Sequence, residues 1–166
     1  MESGDPSLIL ESLTRHGVAF VVIGGHAVNH HGFVRATEDT DVVVFRGVES
    51  DAALWAALTE INARWIGDEI DRETGLEVTH AVTIEFVRAT RLMMLVTDFG
   101  FLDVFDYVPG FPELPVQELL DSAERVGAYR YVSLAWLRRL KRASGRPKDP
   151  LDLANLPEAD GGVAQE

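Results

Sequence analysis

Two aspartates, Asp39 and Asp41, stand at the mouth of an otherwise apolar strand, in the run Asp-Thr-Asp-Val-Val-Val-Phe at 39–45. Side chains alternate faces along a strand, so the two carboxylates point the same way with Cα atoms roughly 6.5 Å apart. Carboxylates that close repel, and burial sharpens the repulsion unless a cation lies between them. Acids at i and i+2, joined by a third from a neighbouring strand, can hold two Mg²⁺ ions roughly 3.5–4 Å apart, as phosphoryl and nucleotidyl transfer require. The third acid should itself stand in an apolar strand. Asp103 is flanked on its own face by Phe101 and Phe105, whereas Asp106, three residues on, faces the other way.

Gly24 and Gly25 follow a continuous apolar, β-branched run at 18–23. A Gly-Gly turn between strand and helix lets backbone N–H groups approach a phosphate with no Cβ in the way. Each signal alone is weak. Together they describe a strand, a Gly-Gly turn, a short helix, an Asp-x-Asp strand and a later acid-bearing strand.

The elements that must position these residues follow from periodicity and punctuation. Helices are expected at 6–16, closed by Gly17, and at 26–31, closed by Gly32. Buried strands are expected at 18–23 and 40–45, and a helix at 49–63. Residues 64–90 read as short strands. The apolar runs 91–97 and 101–108, joined by Asp98-Phe99-Gly100, read as a hairpin. Beyond the three prolines of 109–115, helices are expected at 116–124, 133–143 and 148–156, with a short strand at 125–132. The predicted class is α/β (α+β): a mixed sheet flanked by helices. Its expected organisation is a catalytic core over 1–110 and a helical C-terminal tail over 111–166 packed on that core.

Composition bounds the function. The 166 residues are 46% hydrophobic and 25% charged, the balance of a globular protein. There is no cysteine, which excludes disulfides and thiolate metal sites. No apolar run reaches the roughly 18 residues of a membrane span, and the acidic N-terminus lacks a signal-peptide layout, so a cytoplasmic protein without membrane contact is expected. The net charge of −12 is uneven. Seven of the fifteen basic residues, Arg130, Arg138, Arg139, Lys141, Arg142, Arg146 and Lys148, lie in an acid-free stretch, leaving eight against twenty-seven acids, a balance of −19, elsewhere. A concentrated basic segment on an acidic body suggests a local anionic ligand rather than broad nucleic-acid binding. On the helix at 133–143, Arg138, Lys141 and Arg142 are expected to share an outward face.

The stretch from Gly24 to Val44 resembles the core of the DNA polymerase β-like nucleotidyltransferase superfamily. It is most similar to the AbiEii/AbiGii toxin-like branch, where Gly-Gly-x-Ala, His-Gly and Arg-x-Thr-x-Asp-x-Asp occur together. Here these are Gly24, Gly25, Ala27, His31, Gly32, Arg35, Thr37, Asp39 and Asp41. The closing run with Arg146, Lys148, Asp149, Asp152 and Leu153 resembles that branch's last segment. The resemblance implies transfer of a nucleoside monophosphate from an NTP with two Mg²⁺ ions as cofactor. It implies that Asp39, Asp41 and Asp103 are metal ligands, with Asp103 on the nucleophile side. Gly24 and Gly25 would seat the phosphates, and Arg35, Lys141, Arg142 and Lys148 are the further nucleotide-binding candidates. An RNA end or a protein hydroxyl would be the acceptor and a cognate antitoxin the partner. The alternatives are a transferase acting on an antibiotic or other small alcohol, and a catalytically silent binding module.

Plainer roles are expected for other residues. His26 and His30 have the i, i+4 spacing of a zinc helix, but Ala27 stands where the zincin pattern needs Glu, so polar contacts are expected instead. His31 is expected to bond a backbone carbonyl, Asp149 and Asp152 to cap and pair within the basic tail, and Trp55, Trp65 and Trp136 to pack in the core.

Overall fold

The computed structural model of the chain describes residues 5–34, 37 and 39–158. Its centre is a pair of short strands, β1 (Phe20–Ile23) and β2 (Asp39–Val44), joined by the helix α2 (Gly24–His30). They pair antiparallel, with Ile23 opposite Asp41. Both strands are buried on both faces, which is why they read as unbroken apolar runs rather than alternating ones.

The hairpin expected in the middle of the chain forms from β5 (Leu92–Thr97) and β6 (Gly100–Phe105). β6 lies parallel to β2 in strict register, Asp39 against Phe101 and Asp41 against Asp103. A second antiparallel pair, β3 (Arg64–Ile70) and β4 (Glu77–Ala81), extends the sheet beyond β5. On the other side, β7 (Glu124–Val126) and β8 (Tyr129–Tyr131) form a small hairpin turned at Gly127, whose φ is +62°, with β8 parallel to β1. The result is one mixed eight-stranded sheet, β4-β3-β5-β6-β2-β1-β8-β7, flanked by helices. The α/β class is the one expected.

Two apolar clusters cover the two faces. On one, Ile9, Leu10 and Leu13 of α1 (Ser7–Arg15) pack with Leu54, Ala57 and Leu58 of α3 (Val48–Glu60) against Val22, Val42 and Val44. On the other, Ala27 and Val28 of α2, Leu119 of α5 (Val116–Ser122) and Leu137 and Leu140 of α6 (Leu134–Ser144) cover Val21, Ile23 and Val43. Asp39 and Asp41 share the alternation phase of Val43, so they belong to this second face. A short last helix, α7 (Asp149–Asn155), folds back on α6.

Three local expectations are corrected. Gly24 and Gly25 form the first turn of α2 instead of a turn ahead of it. Residues 64–90 hold a helix as well as strands: α4 (Ile84–Ala89) starts at Thr83, whose hydroxyl accepts the Phe86 N–H at 3.1 Å. The single strand expected at 125–132 is a hairpin. Among the described residues, no helix is long and apolar enough to cross a membrane.

Candidate functional site

Asp41 and Asp103 are brought opposite each other by the parallel register of β2 and β6, close enough for their charges to act on one another. Two ionised carboxylates held that close repel, so the pair favours a shared proton or cation. Burial first, then the charge of Asp103, pushes the pKa of Asp41 up to about 7. Burial and the charge of Asp39 raise that of Asp103 as well. Asp39 is exposed at the start of the strand, two residues from Asp41.

Gly24 makes this packing feasible. Its φ of +68° suits glycine, and a Cβ built there would lie 2.9 Å from Asp41 Cγ and closer still to Oδ2. Any side chain at 24 would therefore displace the Asp41 carboxylate.

A cleft of about 300 Å³ opens over Asp39 and Asp41. Asp39 and Asp41 form one wall, Gly24 and Gly25 a second, and Lys141 with Arg146–Asp149 a third. Arg146 and Lys148 are exposed cations on that wall. The positive charge of Arg146 lowers the pKa of both Asp41 and Asp103 against the effect of burial. Arg146 was not singled out from sequence as a site residue. The usable signal was Gly145, which ends α6 in the left-handed conformation and turns the chain back toward the cleft.

Lys141 also borders the cleft, but the outward basic face expected on α6 does not exist. Lys141 is 7% exposed, and its ammonium lies 3.1 Å from Asp149 Oδ1 and 2.9 Å from Asp152 Oδ2. Arg138 is buried too and donates to the carbonyls of Leu153, Leu156 and Pro157. The reason is α7, which covers this side of α6 and turns its basic stripe inward. Asp149 further accepts from the Ser144 hydroxyl and from the Arg146 N–H at 2.7 Å, so the triad holds the loop that carries Arg146. Pairing of Asp149 and Asp152 within the tail is as expected.

Arg142 is exposed but lines a separate depression with Phe111, Arg139 and Ala143, away from the acids. Arg35 lies outside the described residues. Asp106 forms ion pairs with Arg91 at 3.0 Å and Arg46 at 3.5 Å, apart from the acidic group. A further depression of about 400 Å³, lined by Thr40, Tyr129 and Tyr131, opens on the sheet's other face. It is larger than the cleft but lacks the convergent carboxylates that make the smaller cleft chemically specific.

Asp39 and Asp41 give the cleft hard carboxylate oxygens, and Asp103 stands beside Asp41 across the β2–β6 pairing. That donor set suits a hard divalent cation such as Mg²⁺, which would replace a proton shared by Asp41 and Asp103.

No protein-family model matches the sequence, and no curated protein matches it. Among solved structures, Helicobacter pylori JHP933 aligns at 14% identity and a TM-score of 0.40, over 81% of this chain and 53% of its own. A second H. pylori structure, described as a candidate nucleotidyltransferase, aligns at 14% identity and a TM-score of 0.41, over 81% of this chain and 55% of its own. The chain spans about half the length of either.

Proposed function

We propose that the chain is a Mg²⁺-dependent nucleotidyltransferase of the AbiEii-like kind, moving an NMP from an NTP to a hydroxyl on an RNA end or a protein. We further propose that it acts within a toxin–antitoxin or phage-defence pair. The observation that carries the reading is the register of Asp41 against Asp103 on parallel strands, with Asp39 beside them, under a cleft walled by two glycines and two exposed cations.

In this reading Asp39, Asp41 and Asp103 hold the metal. Magnesium bound there would orient the triphosphate and neutralise charge on the leaving pyrophosphate. Gly24 and Gly25 leave room for the phosphates, and Arg146 and Lys148 meet their outer oxygens as charge-assisted donors. Lys141 acts at one remove, by holding the Arg146 loop. Asp103 faces the acceptor side, where its cross-strand partner Met94 and its neighbour Phe101 are exposed. The acceptor hydroxyl attacks the α-phosphorus as its proton passes to Asp103. The bond from that phosphorus to pyrophosphate breaks.

The test is label transfer. The four α-³²P NTPs are incubated in turn with Mg²⁺, the protein, and either total RNA, soluble protein or small alcohols including antibiotics. Label on RNA or on protein, lost in Asp41→Asn, supports the reading and names the acceptor, whereas label on a small alcohol or antibiotic favours the alternative transferase. No transfer to any class by a protein that binds Mg²⁺-NTP would favour the silent binding module.

A further inference from the structure

Away from the acidic cleft, the C-terminal end of α2 meets the edge strand β7. His30 and His31 lie there beside Glu124, with one ligating atom from each within 4.8 Å of the others. His30 Nε2 is 3.3 Å from Glu124 Oε1, and His31 Nδ1 is 4.0 Å from Oε2. For a tetrahedral ion with bonds of 2.0–2.1 Å, neighbouring ligand atoms are about 3.3 Å apart. One edge thus already has the required length, and the others need to contract by an ångström or so.

The tautomer of His31 follows from its other contact. Nε2 lies 2.8 Å from the Val132 carbonyl, which can only accept, so the ring proton is on Nε2. In the neutral ring Nδ1 then presents a lone pair toward a carboxylate oxygen, two acceptors facing each other with no proton between them. An imidazole anchored through its far nitrogen to a backbone carbonyl is the arrangement that orients a metal-ligating histidine. His30 is held as well: its ring stacks on Tyr131 at 4.3 Å and 7° and meets the His31 ring edge-on. His31 is 7% exposed and His30 20%, while Glu124 is 51% exposed and leaves a route from solvent.

We propose that His30, His31 and Glu124 form a binding site for a divalent transition metal of the zinc class, distinct from the acidic cleft. Two imidazoles and one carboxylate are borderline donors that favour Zn²⁺ over the hard Mg²⁺ suited to the three aspartates. Three protein ligands leave one coordination position for water. Bound metal would tie α2, whose first residue packs against Asp41, to the edge of the sheet. The site stands independently of the nucleotidyltransferase reading.

The test uses the full chain, stripped with EDTA, and titrates Zn²⁺ against a chromophoric chelator in millimolar Mg²⁺. One Zn²⁺ per chain is expected. Glu124→Gln and His30→Gln should each weaken it by at least about 10²-fold, the upper end of the cost of losing a mere outer partner of a ligand. Asp41→Asn should leave it unchanged. Co²⁺ should give a visible band typical of four-coordination that Glu124→Gln abolishes. Circular dichroism checks that each variant is folded, and Glu124, exposed on an edge strand, is a mild place to substitute. Absence of Zn²⁺ binding, wild-type affinity in both ligand variants, or loss of zinc in Asp41→Asn but not in Glu124→Gln would overturn the proposal.

Discussion

Asp41 and Asp103 stand opposite each other on adjacent parallel strands, and burial raises the pKa of both. A proton bound by the pair reconciles two carboxylates at such close quarters. A divalent cation would do the same with more charge. The account of this protein turns on that exchange.

The first consequence is a pH dependence. The folded-state pKa of Asp41 is raised to about 7, above the ordinary carboxylate value of 3.8. The native state therefore holds a proton that the unfolded chain releases, and stability falls as pH rises from about 4 through about 7. In EDTA, the melting temperature of the wild type minus that of Asp41→Asn should decline over that window and level off above it. Millimolar Mg²⁺ at pH 8 should raise the wild type and not the variant. A difference that does not vary with pH would show that Asp41 is not buried against Asp103.

In the proposed transferase, Asp103 and Asp106 would separate catalysis from scaffolding. Asp103→Asn should lower nucleotidyl transfer by at least about 10²-fold, the scale for losing a metal ligand or general base. Asp106→Asn should leave transfer near wild type and cost about 1 kcal/mol of stability, because Asp106 pairs with Arg46 and Arg91 at a partly exposed site. Steady-state rates and urea melts of the two variants check this, and the reverse pattern would mean the strand register is misassigned.

Lys141 and Lys148 should part in the same way. Lys141→Met leaves two buried carboxylates facing each other without their cation, a loss of about 3–5 kcal/mol in urea unfolding. Lys148→Ala, at an exposed position, should unfold like the wild type while weakening NTP binding about tenfold, as for one charge-assisted contact. Equal stability of the two variants would contradict the Lys141–Asp149–Asp152 triad.

Few cations face the cleft, so an RNA acceptor should be contacted at few phosphates. Binding of a single-stranded RNA end should fall with salt at a log–log slope no steeper than about −3. A slope near −6 would require a basic groove that the inward-turned Arg138 and Lys141 cannot provide.

Strand alternation was enough to put Asp39 and Asp41 on one face and to choose Asp103 over Asp106, because that period is local. Which strand lies beside β2 is a long-range matter, and only the fold reveals that β6 is its parallel neighbour. The basic stripe of α6 misled for a related reason. Arg138 and Lys141 have helical spacing, and spacing alone cannot say that α7 returns to supply Asp149 and Asp152 and bury them. The helix α4 was hidden by its length of six residues, although Thr83 three residues before Phe86 was a readable cap. Glu124 is 94 residues from His30, and nothing in their spacing joins them.

The most direct measurement is isothermal titration of NTP in Mg²⁺ into the wild type and Asp41→Ala. The account predicts saturable, Mg²⁺-dependent binding by the wild type. It predicts that Asp41→Ala loses that binding while melting no lower than the wild type in EDTA at pH 8, since a repulsive neighbour has been removed. NTP binding of undiminished affinity in Asp41→Ala would contradict the claim that the paired acids on β2 and β6 hold the metal that receives the nucleotide.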